Sequence, residues 1–460
     1  MASNGLPGMT TKNLRELIYG LNAQVQHGSG KMAPAINLDN AATTPPFKAV
    51  VDEIARQMCL YGSIGRGTGQ KSRHSSVVYE EGRKKVLDFV GADRNKYSVI
   101  YTNNTTDGIN KLASALTNPR DRNGNLRNEE ILVISTRMEH HSNDLPWRER
   151  AHTEYAEVDA VTGRLILEDF ERILKQHPGK TKYVTVTAAS NVTGYVNDVH
   201  SIARIAHKYG AKIIVDGAQI VAHRKFSMLG NSEEEDVDFF VFSAHKMYSP
   251  YGGGALVGLK DVLNDRMPQF YGGGMVSAVC DNAVVYANEP DLYESGSPNV
   301  PGVFGMLKAI EVLESIGFDY IQAHEQHLLR MAIDGLSNIP GVFLYGDNEN
   351  IYDRVGILVF NIEEQWPEYV ANELAFRAAI SVRHAAFCAH PYVRRLEYHK
   401  ETDTACRSPV GMVRVSFGIY TTEEDIDTLI RTVKDIADKE SVSVFSQGTA
   451  ETFRLPLDRG

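Results

Sequence analysis

The sequence predicts an α/β protein: a large doubly wound domain on a parallel sheet, then a smaller α/β domain towards the C-terminus. Three observations carry this reading. Short β-rich runs alternate with helical patterns as far as Lys246, those runs end in polar residues that would collect on one rim, and the pattern restarts after Pro298-Asn299-Val300-Pro301.

Taken in order, Thr11 can cap a short helix whose Leu14, Leu17 and Ile18 share one face. Ile36-Asn37-Leu38 then leads into a loop, Asp39 to Pro46, before a helix from about Phe47. Strands are expected at 98–102, 131–135, 183–187, 213–215 and 239–242, with helices at 106–116 and 199–209 among them. The second domain is expected to open with a helix at 303–316. It continues with strands at 357–360, 380–383 and 412–417 and ends in a helix at 423–438. The division expected is a helical segment, 1–35, packing with the small domain; the large domain, 36–300; the small domain, 301–440; and a loosely held tail, 441–460.

Hydrophobic content of 43% and charged content of 23% are those of an ordinary globular chain, and 460 residues exceed one small core. The net charge of −10, without a basic block, argues against nucleic acid or anionic lipid as a partner. No apolar run approaches the roughly 20 residues that span a bilayer, and Met1 to Met9 lacks the layout of a secretory signal. Cys59, Cys280, Cys388 and Cys406 form no disulfide framework and no C-x-x-C pair, so the cytoplasm is the expected compartment.

Lys246 closes the run Phe242-Ser243-Ala244-His245-Lys246, and thirty positions upstream stands Asp216-Gly217-Ala218-Gln219. A lysine and an aspartate at strand ends, flanked by small residues, suit pyridoxal phosphate: the amine forms a Schiff base and the carboxylate keeps the pyridine nitrogen protonated. Thr105-Thr106-Asp107-Gly108, where a strand gives way to a helix, reads as a phosphate cradle; plain N-capping is the alternative. His140 and His141 could each stack on a ring or relay protons, and the residues alone do not separate them. Asn191 offers an amide to a ring oxygen or a carboxylate, with a simple loop role equally weighted. Gln219, Ser243 and His245 take their meaning from Asp216 and Lys246. Cys388, flanked by Arg383, His384 and His390, reads equally as an activated thiol or an inert one. Arg414, inside the β-rich Val413-Arg414-Val415-Ser416-Phe417, needs an anionic partner, either a substrate carboxylate or a structural salt bridge.

From about Asn37 to Ile436 the chain resembles the cysteine desulfurases of the class V aminotransferase group, fold type I of the pyridoxal phosphate enzymes, and most of all the sulfur-mobilising kind. The matching motifs are Leu38-Asp39-Asn40-Ala41-Ala42, Thr105-Thr106-Asp107-Gly108, Met138-Glu139-His140-His141-Ser142-Asn143, Ser190-Asn191-Val192-Thr193-Gly194, Val215 to Gln219, Phe242 to Lys246, Glu294 to Asn299, Val382-Arg383 with Cys388, and Val413-Arg414. The resemblance implies a mostly parallel seven-stranded sheet and a homodimer. Lys246 would carry the cofactor and shuttle the Cα proton, with His140 at the ring, Asp216 on its nitrogen and Gln219 on its oxygen. Thr105, Thr106, Ser243 and His245 would hold the phosphate, with Ser297 added from the partner subunit. Arg414 and Asn191, with Arg66 and Ala42 nearby, would hold the substrate, L-cysteine or a related amino acid. Cys388 would accept sulfur as a persulfide for a further acceptor protein.

Two departures stand at the sulfur-handling loop. The group most like this chain carries Gly-His-His before the active cysteine, where Ala385-Ala386-Phe387 stands here, and the stretch from Cys388 to Arg414 is longer and includes Cys406. Three readings follow: a desulfurase with a Cys388 persulfide, a related C–S or C–Se lyase, aminotransferase or epimerase without one, and a catalytically idle scaffold.

Overall fold

The computed structural model describes residues 11–28, 30–65, 67–123, 125–126, 130–398 and 411–438; Arg66, Cys406 and the tail from Ser441 lie outside them. Seven strands build the main sheet: β1 (Tyr97–Thr102), β2 (Leu132–Thr136), β3 (His152–Ala156), β4 (Thr181–Thr187), β5 (Lys212–Asp216), β6 (Phe239–Ser243) and β7 (Gly254–Leu259). Their spatial order is β1-β7-β6-β5-β4-β2-β3. Strands β2 to β6 pair in parallel, and β7 runs antiparallel to both β1 and β6.

Apart from edge strand β3, the parallel strands are buried on both faces, which is why they read as largely apolar runs. Ile213, Val215, Phe240 and Phe242 join one core, while Ile214, Phe239 and Val241 join the other. Helices α4 (Thr105–Leu116) on one side, and α2 (Lys48–Cys59), α3 (Gln70–Phe89), α5 (Leu167–Gln176) and α6 (Val199–Lys208) on the other, supply the opposing apolar faces. Two strands carry no such signal in the sequence. Edge strand β3 is HTEYA with only Ala156 buried, and β7 is GALVGL, whose glycines lower strand propensity.

The second sheet is antiparallel, ordered β8-β9-β11-β10: β8 (Val342–Leu344), β9 (Ile357–Ile362), β10 (Arg383–Ala385) and β11 (Met412–Ser416). It packs on α8 (Phe318–Ser337), α9 (Pro367–Ala378) and α11 (Glu423–Ala437), the last opened by a capping box between Thr422 and Asp425. The strand expected at 380–383 splits in two. Ile380–Ser381 pairs in parallel with Ile36–Asn37, and Arg383 begins β10.

Helix α7 (Val300–Ile316), expected to open the small domain, packs on α2 and α3 in the large core. Leu38, expected in the large domain, is buried in the second core. Helix α1 (Thr11–Glu16) touches both units: Leu14 is buried with the large core, while Arg15 bonds the Tyr420 carbonyl at 3.1 Å and pairs with Asp425 at 3.4 Å.

Candidate active site

Parallel pairing brings the carboxyl ends of β2, β4, β5 and β6 to one rim, and a cleft of about 540 Å³ opens there. Strand register sets Asp216 between Thr187 and Val241. A Cβ on the next residue, Gly217, would run into the Phe240 ring, so a small residue is required beside this carboxylate. Lys246 lies one turn past β6. The carbonyl of its neighbour His245 accepts from the Thr44 amide at 3.0 Å and from the hydroxyls of Thr43 and Thr44 at 3.0 and 3.1 Å.

Burial lowers the Lys246 ammonium to about 8, with Asp216 pulling the other way and Arg414 reinforcing the shift. Burial raises the Asp216 carboxyl, countered by the Ala218 amide, which donates to Oδ1 at 2.9 Å, and by Lys246. Burial, aided by Lys246, lowers His140 to about 3 and His245 to about 4, so both rings are neutral near pH 7. The His140 Nδ1 accepts from the Ser142 amide at 3.1 Å, which leaves its proton on Nε2.

Helix α4 is capped by Asn104, whose Oδ1 accepts from the Asp107 amide at 2.9 Å. Capping therefore does not occupy the threonine hydroxyls. Thr105 Oγ1 lies 2.7 Å from Ser243 Oγ, and Thr106 Oγ1 lies 2.7 Å from Ser142 Oγ. These hydroxyls, the helix N-terminus and His245 line one end of the cleft, a setting suited to an anion.

At the other end, Arg414 on β11 is buried and stands directly across from Arg383 on β10. Like charges opposed across a ladder repel. Asp39 resolves this by taking Arg414 Nη2 at 3.0 Å on one oxygen and Arg383 Nη2 at 2.7 Å on the other. Arg414 Nη1 donates to the Asn191 carbonyl at 2.9 Å, and its buried Nε has no acceptor among the described residues. Two of the five guanidinium N–H groups are so engaged, and those left over can serve an incoming carboxylate.

Cys388 is exposed at the edge of the same cleft. Its loop is strained: Ala385, Phe387 and Cys388 have φ of 84°, 51° and 55°, each costing about 1–2 kcal/mol for a residue with a side chain. Ala385 occupies the place of the glycine in the pattern the sequence resembles. Phe387 puts its ring 5.0 Å from the Arg414 guanidinium, and its carbonyl accepts from Asn191 Nδ2 at 2.8 Å. The Asn191 amide thus holds the cysteine loop, a task that neither sequence reading gave it.

The cleft gathers Ala42, Thr105, Thr106, His140, Asn191, Asp216, Gln219, Ser243, His245, Lys246, Cys388 and Arg414. Ser297 is not among them; it lines a separate hollow with Lys111 and Asn103. His141 also turns away from the cleft, which separates it from His140. Sequence reasoning assigned no role to Asp39 or Glu139. The demand of two strand-borne arginines for one anion was the signal for Asp39. Glu139, raised to about 8 by burial against three hydrogen bonds, holds the turn of His140 through Thr136, Asn143 and the Thr187 amide.

Residues 36–429 match the model of the aminotransferase class-V family. The chain belongs to that family. It is 35% identical to a probable cysteine desulfurase of Halalkalibacterium halodurans, covering 92% of this chain and 97% of the relative. It is 33% identical to a cysteine desulfurase of Haloferax volcanii, covering 86% and 88%. Among solved structures, an apo cysteine desulfurase of Thermococcus onnurineus superposes with a TM-score of 0.78 at 28% identity, covering 88% of this chain and 95% of that one. An Escherichia coli cysteine desulfurase carrying an S-sulfonic acid gives 0.76 at 26%, covering 94% and 100%. The architecture is that of these fold type I enzymes, and the family is pyridoxal phosphate-dependent in general.

Proposed function

We propose that this chain is a pyridoxal phosphate-dependent cysteine desulfurase that passes sulfur from L-cysteine to Cys388. The observation that carries the reading is one cleft holding Lys246, Asp216, Arg414 and Cys388. The names borne by its relatives support the substrate.

The residues present fit the cofactor. Besides Asp216 and Lys246, the Gln219 Oε1 is buried without a partner among the described residues, while its Nε2 donates to the Ala41 carbonyl at 2.9 Å. A buried amide so placed is set for a further polar partner. Lys246 would bind the aldehyde, Asp216 the ring nitrogen and Gln219 the ring oxygen, with His140 beside the ring and Thr105, Thr106, Ser243 and His245 around the phosphate. When bound, pyridoxal phosphate supplies an electron sink that acidifies the substrate Cα–H and labilises the substituent on Cβ.

The protein's own groups then divide the work. Arg414 receives the substrate carboxylate on its guanidinium and fixes the amino acid's orientation. The neutral Nζ of Lys246 takes the Cα proton. The thiolate of Cys388 attacks the substrate sulfur: an S–S bond forms, the Cβ–S bond breaks, and the electron pair stays with the carbon skeleton, which takes up a proton. L-cysteine plus thiol thus gives L-alanine plus persulfide, with no outside oxidant. The same reading assigns the chain to the cytoplasm, to a homodimer to which each partner brings its Ser297, and to a sulfur-acceptor protein. Among the described residues no helix is long and apolar enough to cross a membrane, and Cys59, Cys280 and Cys388 are free thiols, in keeping with a reducing compartment.

Purified protein incubated with pyridoxal phosphate and L-cysteine is expected to yield L-alanine, with sulfide appearing only when a reductant is added. Pyruvate and sulfide in place of alanine would replace this reading with that of a lyase. The Asp39 bridge gives a second expectation. Asp39→Asn frees Arg414 to move and should raise KM for cysteine about tenfold while cofactor affinity holds. Steady-state kinetics beside a cofactor titration checks it.

A further inference from the structure

The helix α10 (His390–Tyr398) begins two residues after Cys388. His141 meets this segment twice. Its main-chain amide donates to the Cys388 carbonyl at 2.7 Å. Its ring stacks on His390 with centroids 4.9 Å apart and planes within 7°. The His141 Nε2 lies 3.1 Å from His390 Nδ1 and 3.4 Å from the His390 main-chain nitrogen. Both donors converge on one ring nitrogen, so Nε2 is the acceptor and the His141 proton sits on Nδ1.

The segment so held is one that would not keep its shape unaided, since Phe387 and Cys388 are both left-handed. The resembled pattern also differs just before this cysteine: the histidines that precede it there are Ala386 and Phe387 here. The imidazoles beside the cysteine here are His141 and His390, paired with each other.

We infer that His141 is a positioning residue for the Cys388 thiol, its amide and its ring Nε2 together fixing segment 388–390 in the conformation that presents the thiol to the cleft. The inference rests on the desulfurase reading, because positioning the thiol matters only if Cys388 accepts sulfur. Burial, and after it His390, lowers the pKa of the His141 ring, in keeping with an unprotonated acceptor; Asp144 opposes this shift and Arg148 adds to it.

Two variants test it. His141→Phe keeps a flat ring without an acceptor, whereas His141→Gln keeps an acceptor at similar reach. In cofactor-free protein, hydrogen exchange of the peptide containing the His390 amide should be about tenfold faster in His141→Phe, the scale of one lost hydrogen bond, and near wild type in His141→Gln. In cofactor-loaded protein, persulfide on Cys388 after addition of L-cysteine should form about tenfold more slowly in His141→Phe, with the visible absorbance unchanged, and recover in His141→Gln. Equal exchange and equal persulfide formation in all three proteins would overturn the inference, as would equal losses in both variants or loss of the absorbance. A wild-type protein that forms no persulfide would instead remove the desulfurase reading, while the exchange difference would still report whether His141 holds the loop.

Discussion

Lys246→Ala is expected to bind pyridoxal phosphate without the visible absorbance of a lysine adduct, and to lower alanine formation about 10³-fold, the scale of a lost general base. Both losses follow from one nitrogen, which anchors the cofactor and moves the Cα proton. The wild-type protein adds a pH signature. The amine reacts only when unprotonated, and burial sets its pKa at about 8. Raising the pH therefore removes the proton and speeds uptake. Growth of the visible band should quicken about tenfold per unit below pH 8 and level off above it. A normal spectrum from Lys246→Ala would sink the cofactor assignment outright.

Cys388→Ala is expected to separate sulfur transfer from cofactor chemistry. Cys388 lies at the cleft edge, on a loop after the second sheet's β10, whereas Lys246 and Asp216 stand at strand ends of the first. The visible band should survive, while alanine formation falls about 10²-fold or more for want of the nucleophile. Intact-mass measurement after cysteine addition should show the persulfide in wild type and none in the variant. Undiminished sulfide release from Cys388→Ala would mean that sulfur leaves without a protein thiol.

The legibility of this site in the sequence followed a physical rule. Lys246 and Asp216 are conspicuous because their demands are local: a charged group at a strand end needs small neighbours, and Gly217 shows why in its contact with Phe240. Strands β1, β2, β4, β5 and β6 are conspicuous for a like reason, since burial on both faces demands apolar residues. Strands β3 and β7 lack that demand or mask it with glycine. Asp39 depends on Arg383 and Arg414, which lie 344 and 375 residues away and converge only through sheet pairing. His140 and His141 are chemically alike; one turn of backbone sends the first to the cleft and the second to His390. Asn104 illustrates a competing choice of cap, taking the task that the alternative reading gave to the Thr105-Thr106-Asp107 run.

The stretch from Asp39 to Thr44 has a mechanical consequence. At one end it grips the guanidinium that would receive the amino acid, and at the other the carbonyl beside the reactive amine. Between them, Ala41 receives Gln219. These anchors are joined by only five peptide links, from Asp39 to Thr44. While both anchors hold, the spacing between the carboxylate seat and the proton-transferring nitrogen is thus capped by the reach of this short run of chain.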